Sequence, residues 1–234
     1  MKNFTNLKET DLYKPIYKYF KNLGFNINAE VSGFDVVLTR DDLIYIVEIK
    51  LNFNIKLLKQ AIEAQKVANF VYVAIPLPKR QKGFNSTIHI AKSLGLGLII
   101  VGKTVQVVLE PEKSLLNKNY RKIKKVKHEV DNRKVDINVG GSNRKKINTV
   151  YREKSIQIAC HLENKEFSSA KELVKEGCPQ ETLQILYNNF FGYFERIGRG
   201  KYTLSHTGKK MLQENEFEKV VNYYRKHCKK EQDK

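Results

Sequence analysis

The chain has no tryptophan, two methionines, five prolines and only three cysteines in 234 residues. Cys160, Cys178 and Cys228 are odd in number, widely spaced and without a Cys-x-x-Cys pair. That pattern argues against a disulfide framework or a cysteine zinc site, and it suits a reducing cytoplasm. The five histidines show no metal-ligand spacing. The longest apolar run, residues 94–102, is far shorter than the roughly 20 residues a spanning helix needs. The opening MKNFTNLKET has no apolar core of a signal peptide, so a cytoplasmic location is expected, with no membrane partner.

Acidic residues are the other shortage. Lys and Arg number 43 against 25 Asp and Glu, a net charge of +18 and a pI near 9.7. Such an excess points to a polyanionic partner, nucleic acid before acidic membrane. The excess is uneven: residues 113–154 hold 14 Lys and Arg against 4 acids, a surplus of 10. That segment is polar, contains Gly-Gly-Ser and has weak periodicity, so it reads as a basic linker. Its lysines Lys122, Lys124, Lys125 and Lys127 would track phosphates, because neutralising them releases counterions.

Either side of the segment the patterns differ. Residues 9–25 carry a helical stripe, Leu12, Ile16, Tyr19, Phe20 and Leu23, with Thr10 as its expected cap and Gly24 as its stop. Three short strands follow at 26–31, 34–38 and 43–50. A helix at 54–68, a buried strand at 70–76, a helix at 84–94 and strands at 96–101 and 104–110 complete a mixed α/β sheet covered by helices. After the linker come helices at 152–165, 168–177 and 179–192, then a hairpin over 193–205 and a closing helix over 207–227. Three helices and a hairpin make a winged helix-turn-helix. The expected division is therefore 1–112, a linker 113–150, and 151–234.

Within the strands one stretch stands out, GFDVVLTRDDLIYIVEIK (33–50). Side chains alternate faces along a strand, so Glu48 and Lys50 point the same way. The link through residues 39–42 is short enough for a hairpin, and pairing Arg40 with Leu43 puts Asp35 opposite Glu48. Two carboxylates and an ammonium on a buried face need compensation. A divalent cation would reconcile the carboxylates, and a salt bridge with Lys50 is the structural alternative.

This arrangement of strands and residues resembles the PD-(D/E)XK nuclease superfamily. Residues 8–31, 35–64 and 71–76, together with 140–159 and 188–208, are similar to a bacterial PD-(D/E)XK phosphodiesterase family catalogued as domain of unknown function 2161. The resemblance implies a restriction-endonuclease-like sheet. It gives Asp35 and Glu48 the place of metal-binding carboxylates, with the Ile49 carbonyl as a further ligand and Lys50 as the catalytic lysine. Glu9 matches an additional acidic ligand, and Gln60 matches a glutamine found near the site in some branches. Phe34 stands where the motif's name has proline. Glu30, at the end of the neighbouring strand, is a further candidate ligand.

The reading is a Mg²⁺-dependent nuclease hydrolysing DNA phosphodiesters, with Mn²⁺ able to substitute and no organic cofactor. The winged helix would aid DNA binding chiefly through Arg196, Arg199 and Lys201 of its wing, since the third helix has no Lys or Arg and offers only Gln180, Gln184, Asn188 and Asn189. A dimerisation role for that domain leaves a homodimer open. The alternative class is a non-catalytic DNA-binding protein on a nuclease scaffold.

Overall fold

The computed structural model describes residues 7–78, 83–142 and 145–232, with side chains through residue 228. The chain divides into two compact units. The first comprises residues 1–131 and 138–147, the second 132–137 and 148–234.

The first unit is built on a six-stranded sheet: β1 (Asn26–Val31), β2 (Phe34–Arg40), β3 (Leu43–Ile49), β4 (Phe70–Pro76), β5 (Gly97–Val101) and β6 (Val105–Leu109). Spatial order follows chain order. β1, β2 and β3 form an antiparallel meander, β3–β4 and β4–β5 pair in parallel, and β6 returns antiparallel. Parallel neighbours need a crossover, supplied by α2 (Ile55–Gln65) and α3 (Phe84–Ser93). With helices on both faces β5 is buried throughout, so it reads as continuous apolar sequence rather than as an alternation.

Alternation still decides which core each residue joins. Val36, Leu38, Val47 and Ile49 pack with Leu12, Ile16 and Phe20 of α1 (Glu9–Asn22). Val37, Ile46, Val73 and Leu98 pack on the opposite face with Leu57, Ala61 and Ala64 of α2 and Ala91 of α3. α1 begins one residue earlier than its expected cap. The Asp11 carboxylate accepts the Lys8 N–H at 2.8 Å, so Thr10 lies inside the helix.

The described residues of the expected basic linker, 113–150, carry structure of their own. Residues 113–119 are pinned to the end of α2: Ser114 Oγ donates to the Gln65 carbonyl, and Lys118 Nζ to the carbonyls of Gln65 and Ala68. Next comes α4 (Tyr120–Asn132), whose Val126 is fully buried and whose Ile123 and Val130 pack on the same core. These three residues have helical spacing, but the five Lys and Arg among residues 120–130 mask it. The segment 138–147 then belongs to the first unit again, with Val139 on the α1 face of the core.

The second unit contains α5 (Val150–Leu162), α6 (Ala170–Lys175), α7 (Thr182–Asn188), the hairpin β7 (Phe194–Gly198) and β8 (Lys201–Leu204), α8 (His206–Gln213) and α9 (Glu218–Gln232). Ser168 bridges to Tyr202 beside the hairpin. The expected closing helix is broken: Glu214 is extended, and a short 3₁₀ turn, Asn215–Phe217, delivers Phe217 fully buried into the core. Glu153, also buried, accepts from the N–H groups of Lys134 and Val135, from Asn148 Nδ2 and from the Tyr224 hydroxyl. A buried carboxylate so fully hydrogen-bonded ties residues 134–135, α5 and α9 together.

Because α4 is part of the folded unit, hydrogen exchange should find slowed amides from Ile123 to Val130. Val126→Ala should lower stability by about 2 kcal/mol, the loss of two buried methyl groups with incomplete collapse around them. Exchange at unprotected rates across this stretch would restore the tether.

Candidate active site

The antiparallel β2–β3 ladder runs from Arg40↔Leu43 to Val36↔Val47. One step further, Asp35 faces Glu48. There the ladder ends, and the Ile49 N–H goes instead to Asp35 Oδ2 at 2.8 Å. On its other edge β3 stays paired with β4 through Ile49↔Ala74, and the Lys50 N–H donates to the Ala74 carbonyl at 3.0 Å. The site thus lies where β2 and β3 part and side-chain oxygens replace main-chain partners.

Lys50 follows at the end of β3. Its Nζ donates to Glu9 Oε2 at 2.9 Å and to the Ile49 carbonyl at 2.8 Å, and lies 3.8 Å from Asp35 Oδ2. Glu9 reaches it because α1 starts at that residue. Asp35, Glu48 and Lys50 are 8%, 1% and 9% exposed, so a single ammonium serves several poorly solvated carboxylates. The electrostatics follow. Burial raises the Glu48 pKa well above the usual carboxylate value, and the Asp35 charge pushes the same way. Burial also raises that of Asp35, opposed by the Ile49 N–H and by Lys50. For Glu48, burial and the neighbouring Asp35 charge both disfavour the ionised form, and Lys50 opposes them.

A divalent cation fits these donors. Glu48 Oε2 is buried without a hydrogen-bond partner, and oxygen ligands suit Mg²⁺ or Mn²⁺. Among the described residues no three His, Cys, Asp or Glu side chains are grouped so as to hold a metal ion. Such a cation would draw first on the Asp35 and Glu48 carboxylates, since Glu9 and the Ile49 carbonyl both accept from Lys50 Nζ.

Glu30 and the Gly-Gly-Ser stretch belong to the same region. The β1–β2 ladder pairs Ala29 with Val36 and Val31 with Phe34, and between them Glu30 takes φ +54°, a left-handed conformation costly for a side chain of this kind. Its Oε1 accepts the Ser142 N–H at 2.8 Å. Burial lifts its pKa to about 7 against the opposing main-chain bonds from Ser142 and Gly141. Gly140 packs so closely that a Cβ there would lie 2.8 Å from the Asp35 carbonyl and 2.9 Å from the Tyr13 ring. At Gly141, with φ +75°, a Cβ would meet that of Glu9 at 2.9 Å. Read as linker punctuation in the sequence, Gly140 to Ser142 instead lie against three candidate acids. Two successive glycines following a polar run were the available signal, and only spatial neighbours distinguish close approach from a flexible joint.

The other sequence candidates are dispersed. Gln60 is half-buried on α2, with Oε1 buried and unpartnered. On α4, Lys124, Lys125 and Lys127 are exposed, whereas the Lys122 ammonium lies 4.2 Å from the centre of the Phe34 ring. In the second unit Arg196 Nε donates to the Gly198 carbonyl, Lys201 lies over the Phe167 ring, and Arg199 is exposed at the hairpin turn. Asn189 closes α7 through bonds to Phe194, and Gln184 Nε2 donates to Asn188 Oδ1. Phe190 is 72% exposed.

The family model described as "Putative PD-(D/E)XK phosphodiesterase (DUF2161)" matches residues 97–211. That is the family the sequence resembles. The matched stretch runs from β5 through α4 and Gly140–Ser142 into α8; Asp35, Glu48 and Lys50 precede it. The six-stranded mixed sheet flanked by helices fits a PD-(D/E)XK fold. No curated protein matches the chain.

Two outcomes test this geometry. Gly140→Ala should lower the melting temperature, overpacking of this kind costing about 1–3 kcal/mol; an unchanged value would mean that residue 140 does not lie against Asp35. The second concerns pH. Without divalent metal, folded Glu30 keeps its proton to about pH 7, against an ordinary value of 4.5. The folded state therefore binds more protons in that window, and stability falls as pH rises through it. Glu30→Gln should flatten this fall in thermal unfolding with EDTA, and identical pH profiles would remove Glu30 from the buried cluster.

Proposed function

We propose that this chain, whose residues 97–211 match the PD-(D/E)XK phosphodiesterase family, is a metal-dependent nuclease hydrolysing phosphodiester bonds of DNA. One observation carries the reading: a buried, mutually repelling Asp35–Glu48 pair, with an unpartnered Glu48 oxygen and a lysine 3.8 Å from Asp35. As pure architecture this arrangement is costly, because buried charges with incomplete partners destabilise a fold.

Asp35, Glu48 and the Ile49 carbonyl would hold Mg²⁺ or Mn²⁺. When bound, the ion supplies Lewis-acid polarisation of a phosphoryl oxygen and lowers the pKa of the attacking water. The chain's own residues do the rest. Lys50 has three N–H donors and spends two of them on Glu9 and the Ile49 carbonyl. The third can reach a phosphoryl oxygen or the attacking water, placing fixed positive charge where negative charge develops. Glu9 holds the ammonium in position, and the Ile49 N–H holds Asp35 with one oxygen engaged.

The second unit reads as a winged helix-turn-helix, with α7 in the recognition position and the β7–β8 hairpin as wing. Exposed Arg196, Arg199 and Lys201 would contact DNA phosphates. A second reading of α7 is favoured by its surroundings: Leu183 and Tyr187, with Phe190 just beyond its end, are 59%, 78% and 72% exposed, and the helix carries no cation. Such a face suits contact with protein, including a second copy of the chain, better than contact with phosphates.

The test is a cleavage panel of linear, nicked, branched and single-stranded DNA, with RNA alongside, in Mg²⁺, Mn²⁺ and EDTA. Asp35→Asn, Glu48→Gln and Lys50→Ala should each lower cleavage by at least about 10²–10³-fold. The two carboxylate variants should also weaken divalent-metal binding and, in EDTA, match or exceed the parent in melting temperature, since they relieve repulsion. Lys50→Ala should melt lower, because it leaves Glu9 and Asp35 without their shared cation. Metal-independent stability and no cleavage of any substrate would leave a non-catalytic DNA-binding scaffold.

A further inference from the structure

The residues of α4 divide cleanly. Ile123, Val126 and Val130 enter the core, while Arg121, Lys124, Lys125 and His128 are exposed, at i, i+3, i+4 and i+7. These four, with Ser32 of the β1–β2 turn and half-buried Glu129, line a cavity of about 420 Å³. Three of these lining residues are Lys or Arg and one, Glu129, is a carboxylate, so the concave wall is predominantly basic, and such a wall concentrates its field.

Helix energetics leave these cations only partly compensated within α4, where Glu129 stands four residues after Lys125. Like charges three and four residues apart repel, and cations near a helix N-terminus oppose its dipole. α4 has no acid in its first turn, where Arg121 and Lys122 stand, and no base in its last. A local rule broken on the exposed face of a well-anchored helix points to compensation by something that binds there. The compensating group must be anionic, with several charges spaced along a line.

We propose that this cleft binds the phosphate backbone of a nucleic acid strand within roughly three nucleotides of the reacting phosphate. The inference rests on the nuclease reading for what reacts, but not for what binds. Ser32 is three residues from Asp35, at most about 10 Å along an extended chain. A nucleotide advances about 3.4 Å along the helix axis, so a strand crossing the cleft lies close to the carboxylate pair. A lipid surface fits less well, since the apolar side of α4 is inside the protein and a helix lying on a membrane needs that side outward. Two of the basic residues picked out by sequence drop from this surface. Lys122 sits over the Phe34 ring, and Lys127, though exposed, does not line the cleft.

Lys127 makes the control. The full chain would be titrated with fluorescently labelled duplex and single-stranded oligonucleotides in EDTA across a salt series, by anisotropy. The variant R121Q/K124Q/K125Q should lower the log–log salt slope by about two to three, one phosphate contact per removed cation. Lys124→Gln alone should weaken binding several-fold, and Lys127→Gln, with the same loss of charge, should change it less than twofold. Thermal unfolding should show the triple variant at least as stable as the parent, because like-charge repulsion is gone. Equal effects of Lys124→Gln and Lys127→Gln would reduce the cleft to general electrostatics and overturn the proposal. So would an unchanged slope in a folded triple variant, or tighter binding of the parent to phosphatidylserine vesicles than to either oligonucleotide. A parent that binds with this slope yet cleaves nothing with Mg²⁺ would refute the nuclease reading alone. A parent that cleaves, with an unaffected triple variant, would refute the cleft alone.

Discussion

Two carboxylates buried side by side have to be answered by something, and the first unit is arranged around that requirement. Asp35 and Glu48 meet because the hairpin register sets Arg40 against Leu43. Their mutual repulsion and desolvation are answered in part by Lys50 and the Ile49 N–H. Lys50 in turn is fixed by Glu9, which ties the start of α1 to the end of β3. The parting of β2 from β3, the entry of α1 and the left-handed backbone at Glu30 all converge on this one electrostatic problem. A cation bound by the carboxylates would resolve the remainder, which is how burial and reactivity become linked.

The residues after β6 serve the same centre. Their high charge suggests a solvated tether, yet they pack: Lys118 bonds the carbonyls at the end of α2, Val126 is fully buried, and Ser142 donates its N–H to Glu30. A stretch with a surplus of lysine can still fold when three apolar residues fall on one helical face, because each buried side chain contributes about 1.5–3 kcal/mol while the exposed charges remain hydrated. The unit therefore carries its basic surface on a rigid element. Charges held in fixed geometry bind a polyanion without the ordering cost that a flexible strap would incur.

The second unit shows how little of a surface composition reveals. α7 presents apolar side chains to solvent and its amides bond one another or close the helix, as Gln184–Asn188 and Asn189–Phe194 show. Its core, by contrast, follows ordinary rules. Ile156, Leu173, Ile185 and Phe217 fill it, and Glu153 is satisfied by four separate donors.

By itself the sequence determined the sheet's strands, the helices α1 to α3, the hairpin register and the opposition of Asp35 to Glu48. All of these depend on local periodicity and short turns, which neighbouring residues alone specify. Only the tertiary structure decided the rest. It placed Glu9 on Lys50 across 41 residues, set Gly140 against Asp35, and turned a lysine-rich stretch into a packed helix with one cationic face. It also set the Lys122 ammonium over the Phe34 ring and bonded Asn189 to Phe194. Contacts between residues far apart in the chain leave no periodic trace, and whether a glycine is a joint or a close approach depends on what stands opposite it.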